Sequence, residues 1–183
     1  MSTTATLPFT GTFAADQAHS TFQFEIRHMG VSMFRATFDD VDVRVVADDN
    51  RAELEGTVRT ESISIKDPPE FREHVVYGAD FFDAHNHPEI SFRSLDVNFG
   101  DDGTLTGRGE LTVKGITKAV SAVGTYQAPV EDPYGAQRAA LELTATVDRR
   151  DWGMDWQAPL PKGGDVLGYD VSLTVQTELI QQR

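Results

Sequence analysis

The 183-residue chain contains no cysteine. This absence excludes disulfide bonds, cysteine-ligated zinc and a cysteine nucleophile. Basic residues are also scarce, because 16 Lys and Arg stand against 29 Asp and Glu and leave a net charge of −13. So acidic a chain is repelled by the phosphates of nucleic acids and by anionic lipid surfaces. We therefore expect no nucleic-acid partner.

Long hydrophobic runs are missing as well. No stretch approaches the roughly 20 apolar residues of a membrane helix, so we expect no integral membrane segment. Residues 1–15 have neither the basic start nor the apolar segment of a signal peptide. The sequence as given predicts a cytoplasmic location, or a periplasmic or extracellular one if a signal was removed. With 39% apolar and 25% charged residues, the length fits a single soluble globular domain.

Sequence signatures of catalysis and metal binding are few. The chain has no GxSxG nucleophile elbow, and its glycine-containing stretches lack the strand-to-helix context of phosphate-binding loops. His85 and His87 could ligate a metal from one face of a strand, but no third ligand stands at a diagnostic spacing. We therefore predict no catalytic residue, no metal and no cofactor.

The sequence does contain apolar residues that alternate with polar ones, the pattern of half-buried β-strands. About eight such segments occur along the chain. The parity of the apolar positions switches at Asp39 and Asp40, which predicts a bend or bulge within one long strand. Strands this long and bent favour a closed antiparallel barrel over a small sandwich, because closure leaves no exposed edge.

One segment departs from the alternation and predicts a short helix over residues 69–77. Asp67 offers an acidic cap, and the prolines that follow suit a first turn. Phe71 and Val75 then share one helix face, and Gly78 is a natural stop.

Phenylalanine is the most informative residue type, because the chain has 11 and most fall at positions that face the core. The interior of an eight-stranded barrel is wide enough to be filled by side chains or to hold one slender ligand. Small residues such as Ala36, Gly56 and Gly109 also fall on inward positions. The pattern alone therefore leaves a filled core and an open lumen as equal alternatives.

Four motifs in the same order resemble the YceI-like family, bacterial polyisoprenoid-binding proteins with a lipocalin-like barrel. The motifs lie at residues 16–30, 80–94, 109–118 and 148–154. The resemblance implies an eight-stranded antiparallel lipocalin-like barrel with one short helix over residues 13–183, preceded by a poorly ordered N-terminal extension over 1–12. Residues 67–75 depart from the family pattern, so we expect the helix by the barrel mouth to differ.

The resemblance also implies a non-catalytic protein that binds, transports or stores a long isoprenoid, or a similar amphiphilic lipid, in the lumen. A polyprenyl phosphate and an isoprenoid quinone are both compatible ligands, and a homodimer is the expected assembly. The residues predicted to bind the ligand are Phe22, Phe24, Ile26, His28, Phe34, Phe38, Phe82, Phe92, Leu111 and Val113.

Contacts with the ligand's head group are predicted for His28, Arg27 and Arg93. Trp152 and Trp156 flank a turn, where they either pack or contact the head group. Two other functions stay open at this point. One is an enzyme that acts on a hydrophobic substrate in the same lumen, with His19 or His28 as base. The other is a structural barrel with a filled core that acts through its surface.

Overall fold

A computed structural model describes residues 7–183 as nine strand segments and one α-helix. In chain order these elements are β1 (Gly11–His28), β2 (Ser32–Phe38), β3 (Val41–Ala47), β4 (Ala52–Arg59), α1 (Pro69–Tyr77), β5 (Glu89–Phe99), β6 (Thr104–Val113), β7 (Ile116–Glu131), β8 (Gln137–Asp148) and β9 (Leu167–Gln181). Short 3₁₀ turns at Thr60–Ser62 and Arg149–Trp152 follow β4 and β8. No helix in the described range is long and apolar enough to cross a membrane.

The strands form one antiparallel sheet that closes into a barrel. Each strand from β3 onward pairs with the next, and β9 pairs with β1. The first part of β1 pairs with β3 and the second part with β2. Only Asp39 and Asp40 separate β2 from β3, so these two segments are the arms of one bent strand. The predicted eight-stranded antiparallel barrel and its bend are therefore confirmed.

Helix α1 covers the residues that the sequence predicted, but it begins differently. Pro68 occupies the N-cap position and no side chain caps the helix, so the acidic cap expected from Asp67 is wrong. The fixed backbone of the prolines starts the first turn instead. The helix ends at Gly78, where a Cβ would collide with the carbonyl oxygen of His74. Because glycine has no Cβ, the backbone at residue 78 can pass close to this carbonyl oxygen as the helix ends.

The barrel begins earlier in the chain than the predicted boundary at residue 13. Residues 1–6 of the predicted extension lie outside the described residues, but Phe9 is fully buried. Its ring centroid lies 5.5 Å from that of Phe13, 5.2 Å from Phe99 and 6.1 Å from Tyr126. Because these partners belong to β1, β5 and β7, Phe9 crosses the barrel interior. The alternation could not reveal this role, since Phe9 stands alone between Pro8 and Thr10.

The two ends of the barrel differ in what closes them. One end carries α1, the β1–β2 and β6–β7 turns and the long segment between β8 and β9, and we call it the open end. The other carries the turns β3–β4, β5–β6 and β7–β8 together with Phe9, and we call it the closed end. Leu105 and Leu179 are fully buried among the apolar core residues.

Candidate functional site

The open half of the barrel contains a cavity of about 610 Å³. This volume falls within the range typical of small-molecule sites. Its walls come from β1, β2, β5, β6, β8 and β9, and α1 with the residues after it covers one side. This half of the interior is therefore hollow, which decides against the filled-core barrel.

The structure places every predicted ligand-binding residue except Phe92 on the wall of this cavity. These residues are Phe22, Phe24, Ile26, His28, Phe34, Phe38, Phe82, Leu111 and Val113. They converge because alternate residues of a strand face the same side of a sheet. Their contact with a ligand stays a prediction.

Phe92 lies deeper in the barrel, on a second cavity of about 90 Å³. Its backbone pairs with Gly56 on β4 and with Leu111 on β6. The ring covers Gly109 of the neighbouring strand, at a place where a Cβ would collide with it. Phe92 therefore lies outside the main cavity, because its ring fills the space that this glycine leaves. Its contact with a ligand stays a prediction.

Three residues separate the two cavities. Phe22, Ile90 and Leu111 line both of them, and none is more than 8% exposed. We call these three residues the neck. Since they belong to β1, β5 and β6, the neck narrows the lumen from different parts of the barrel wall.

Aromatic side chains cover one part of the main cavity's wall. The ring of Phe24 lies 5.9 Å from that of Phe38 and 6.2 Å from that of Phe82. Phe34 contacts Phe71 of α1 at 5.7 Å between ring centroids. Another part of the wall is aliphatic, with side chains from Leu111, Val113, Val147, Val171 and Leu173. The aromatic and the aliphatic parts of the wall both suit an apolar ligand.

Arg149 is the buried charged residue of the described part of the chain, and it lies in the 148–154 motif without being among the predicted site residues. It lines the main cavity and is 3% exposed. Its Nε donates to the carbonyl of Gly168 at 2.8 Å, and its Nη1 donates to the carbonyl of Met154. Burial lowers the pKa of this guanidinium from its ordinary value, although an arginine stays protonated at neutral pH.

The other predicted head-group residues lie in different places. His28 is on the cavity wall at the end of β1. Arg27 is exposed and does not line the cavity, and Arg93 donates to Glu110 at 2.9 Å on the outer surface. The hydrogen bond that Arg93 donates to Glu110 raises the pKa of Arg93. Arg27 and Arg93 therefore lie off the cavity wall, because both residues have the parity of the outer face. Their contact with a head group stays a prediction.

The two tryptophans both border the cavity. Trp152 is buried, and its Nε1 donates to the carbonyl of Leu111 at 3.1 Å. Trp156 packs beside α1, with its ring centroid 5.7 Å from Phe81 and 6.2 Å from His74. Trp152 therefore braces the wall at the neck, while Trp156 covers the cavity near the open end.

A catalytic base in the lumen would need an acidic partner within hydrogen-bonding distance. His19 has such a partner, Asp16 at 3.0 Å, but this pair is on the outer surface. His28 lines the cavity without a carboxylate partner among the described residues. His74 also lines the cavity, yet it lies 3.9 Å from Asp80 and both side chains are largely exposed. The described residues thus assemble no histidine–carboxylate pair inside the lumen.

The two histidines considered for metal binding do not converge. His85 stacks on Tyr77 with 4.2 Å between ring centroids, whereas His87 lies 3.9 Å from Asp83. In the described part of the chain, the residues spaced closely enough to hold a metal ion are Asp16, His19 and Glu178. Arg138 already donates to the carboxylates of Asp16 at 3.0 Å and Glu178 at 2.6 Å. This group is thus an ion-pair network around an arginine.

Comparison with known proteins agrees with the barrel geometry. A model of the YceI-like domain matches residues 13–179. A UPF0312 protein of Staphylococcus aureus (strain N315) is 30% identical over 168 residues, which cover 91% of this chain and 95% of the relative. The similarity therefore extends over nearly the whole length of both proteins.

Solved structures share the fold at lower sequence identity. BcnA of Burkholderia cenocepacia superposes with a TM-score of 0.71 at 18% identity, over 90% of this chain and 98% of that protein. A polyisoprenoid-binding domain of Saccharophagus degradans, implicated in plant cell wall breakdown, gives a TM-score of 0.67 at 10% identity. That match covers 95% of this chain and 100% of the domain. These likenesses show a common barrel architecture.

Proposed function

The chain belongs to the YceI-like domain family, and on that basis we propose that its main cavity binds a long isoprenoid. The protein carries or stores this lipid and does not transform it. The observation that carries the proposal is the apolar cavity of about 610 Å³ in the open half of the barrel. The description of a structural neighbour as a polyisoprenoid-binding domain supports the same ligand class.

Burial of the lipid chain supplies the affinity in this proposal. Each buried CH₂ group contributes about 0.8 kcal/mol, so a few isoprene units contribute on the order of 10 kcal/mol before the costs of association. The loss of ligand motion reduces that gain. A slender chain fits a lumen that narrows at the neck, with one end of the ligand left at the open end. Few polar contacts are then needed for binding.

The arrangement of polar groups supports a carrier. The histidines on the cavity wall lack a hydrogen-bonded carboxylate partner within the described residues, and Arg149 is bonded to backbone carbonyls. General acid–base catalysis requires a positioned group of suitable pKa within reach of the reacting atom. A carrier needs only the apolar lining and an open end through which the lipid enters.

Binding of a fluorescent apolar probe, and its displacement by an isoprenoid alcohol, tests the proposal. We expect displacement from the wild-type protein and loss of binding by at least tenfold in Phe24→Glu, because a carboxylate in the apolar cavity is costly. Val123→Glu is the matched control, since Val123 is 62% exposed. This control should bind as the wild type does.

Native mass spectrometry after purification from the source organism provides a second measurement. A bound apolar mass of several hundred daltons supports the carrier. The proposal would be overturned by a protein that purifies without a ligand and does not bind the probe, or that binds the probe but exchanges it for no isoprenoid. Far-UV circular dichroism of Phe24→Glu separates a lost site from a lost fold.

A further inference from the structure

We propose that the lipid bound in the main cavity carries an anionic oxygen head group, a carboxylate or a phosphate, and that Arg149 binds it. This inference rests on the proposed function and deepens it, because the apolar lining alone does not distinguish a charged head group from a neutral quinone. It starts from the placement of Arg149, a cation that is 3% exposed on the wall of an apolar cavity.

The charge of Arg149 has no ion-pair partner among the described residues. The nearby carboxylate of Asp148 is engaged by Arg150, whose Nη2 donates to it at 2.6 Å. Asp67 also lines the cavity but is exposed, so solvent screens its charge. A buried charge is costly unless it is paired. An anionic head group would supply the missing partner.

The guanidinium is held in a fixed orientation with hydrogen-bond donors to spare. Its three nitrogens donate to the backbone carbonyls of Gly168, Met154 and Leu167, the last at 3.5 Å. The ring of Tyr169 lies 4.8 Å from the guanidinium carbon. Because a guanidinium has five N–H groups, each terminal nitrogen retains one without an acceptor in the described part of the chain. Such a fork matches the oxygens of a carboxylate or phosphate.

The position of Arg149 along the barrel agrees with this role. The residue directly follows β8 at the open end, whereas the neck lies deeper in the lumen. A lipid whose head group contacts Arg149 therefore extends its chain along the apolar wall toward the neck. The three carbonyl bonds also anchor the segment between β8 and β9, so a test must separate anchoring from head-group binding.

Ligands of matched chain length test the inference on the wild-type protein. Geranylgeraniol, geranylgeranyl phosphate and geranylgeranoic acid differ only in the head group. We expect the phosphate and the acid to bind about tenfold or more tightly than the alcohol, since hydrogen bonds to charged groups are the stronger ones. Equal affinities would overturn this inference and leave the proposed function intact. Binding of none of the three would overturn the proposed function itself.

Substitution assigns the preference to Arg149. In Arg149→Met we expect the ratio of phosphate to alcohol affinity to fall close to one, while the affinity for the alcohol changes less than threefold. Arg150→Met is the matched control and should keep the wild-type ratio, because Arg150 is exposed and pairs with Asp148. Arg149→Lys keeps the charge without the fork and should give an intermediate ratio.

The result that contradicts the assignment is a folded Arg149→Met that keeps the full preference for anionic head groups. If circular dichroism shows that Arg149→Met does not fold, Arg149→Lys decides. An unchanged ratio in the lysine variant then contradicts recognition by the guanidinium fork, and a reduced ratio supports it. The comparison of head groups on the wild-type protein is independent of both variants.

Discussion

The two halves of this barrel are lined by the same residue types, but the closed half is filled and the open half is hollow. In the closed half, Phe9 contacts Phe13 and Phe99, and the ring of Phe99 lies 5.1 Å from that of Tyr126. In the open half, an equally aromatic wall borders a cavity of about 610 Å³. Aromatic content therefore does not decide whether a barrel of this size is filled or hollow.

The two halves differ in where their aromatic rings come from and in what those rings contact. The closed half is filled because Phe9 comes from outside the sheet and contacts residues of β1, β5 and β7 across the lumen. In the open half, rings of the adjacent strands β1 and β2 contact each other along the wall. Phe82 comes from outside the sheet, but its ring contacts this same part of the wall. A ring that packs along the wall leaves the centre of the lumen free.

The largest expected effect comes from removing the ring that crosses the closed half. Phe9→Ala should lower the free energy of unfolding by about 3–5 kcal/mol, the usual cost for a buried phenylalanine. Phe24→Ala should cost less than half as much, because Phe24 is partly exposed and already borders a cavity. Urea denaturation followed by circular dichroism measures both values. Equal losses would mean that the two halves are packed alike.

The neck is the boundary between the halves, and shortening one of its side chains should join the two cavities. Leu111→Ala should lower the free energy of unfolding by about 2–3 kcal/mol. It should also shift the preferred length of the bound isoprenoid alcohol upward, since the space around Phe92 becomes accessible. Competition binding with alcohols of increasing length measures the shift.

Val120→Ala provides the control for that experiment, because this partly buried residue lies on β7 outside both cavities. It removes apolar side-chain volume without opening the neck. The length preference should then match the wild type. A wild-type length preference in Leu111→Ala as well would show that the neck does not limit the ligand.

Local signals were enough to predict much of the fold. Prolines, a pair of apolar residues four apart and a glycine defined α1, and the parity switch at Asp39 and Asp40 defined the bent strand. These features depend on backbone preferences and on alternation, which the sequence displays directly. The same alternation indicated that the phenylalanines of β1 and β2 face the lumen, and they lie on the cavity wall.

The features that could not be predicted depend on contacts between distant parts of the chain. Phe92 leaves the main cavity because its ring covers Gly109 on β6, two residues before its backbone partner Leu111. Phe9 and Arg149 lie outside the alternating segments, so no periodicity marked them as interior residues. Alternation shows which side a residue faces, but the volume left in the lumen depends on how the rings meet across it.

The closed end carries an ion-pair network around Arg138. Of the predictions for stability, the replacement of Arg138 has the smallest expected effect. Its guanidinium donates to Asp132 at 2.7 Å and to Glu178 and Asp16, which joins β8 to β9, to β1 and to the β7–β8 turn. The hydrogen bond from Arg138 and two backbone N–H groups lower the pKa of Asp132 to about 2. Asp132 therefore stabilises the fold above the ordinary carboxyl pKa, and this contribution is lost as the pH falls toward 2.

Replacing Arg138 by Gln should lower the free energy of unfolding at neutral pH and leave the affinity for the apolar probe unchanged. The difference from the wild type should narrow as the pH falls from about 4 to about 2, because protonated Asp132 gains little from the guanidinium. Urea denaturation across this pH range measures the difference. Arg35→Gln, which removes an exposed pair with Glu25, should give a smaller loss. If the difference in unfolding free energy between Arg138→Gln and the wild type stayed constant down to pH 2, the network would not act through its carboxylates. A weakened affinity for the probe would show that the two halves are coupled.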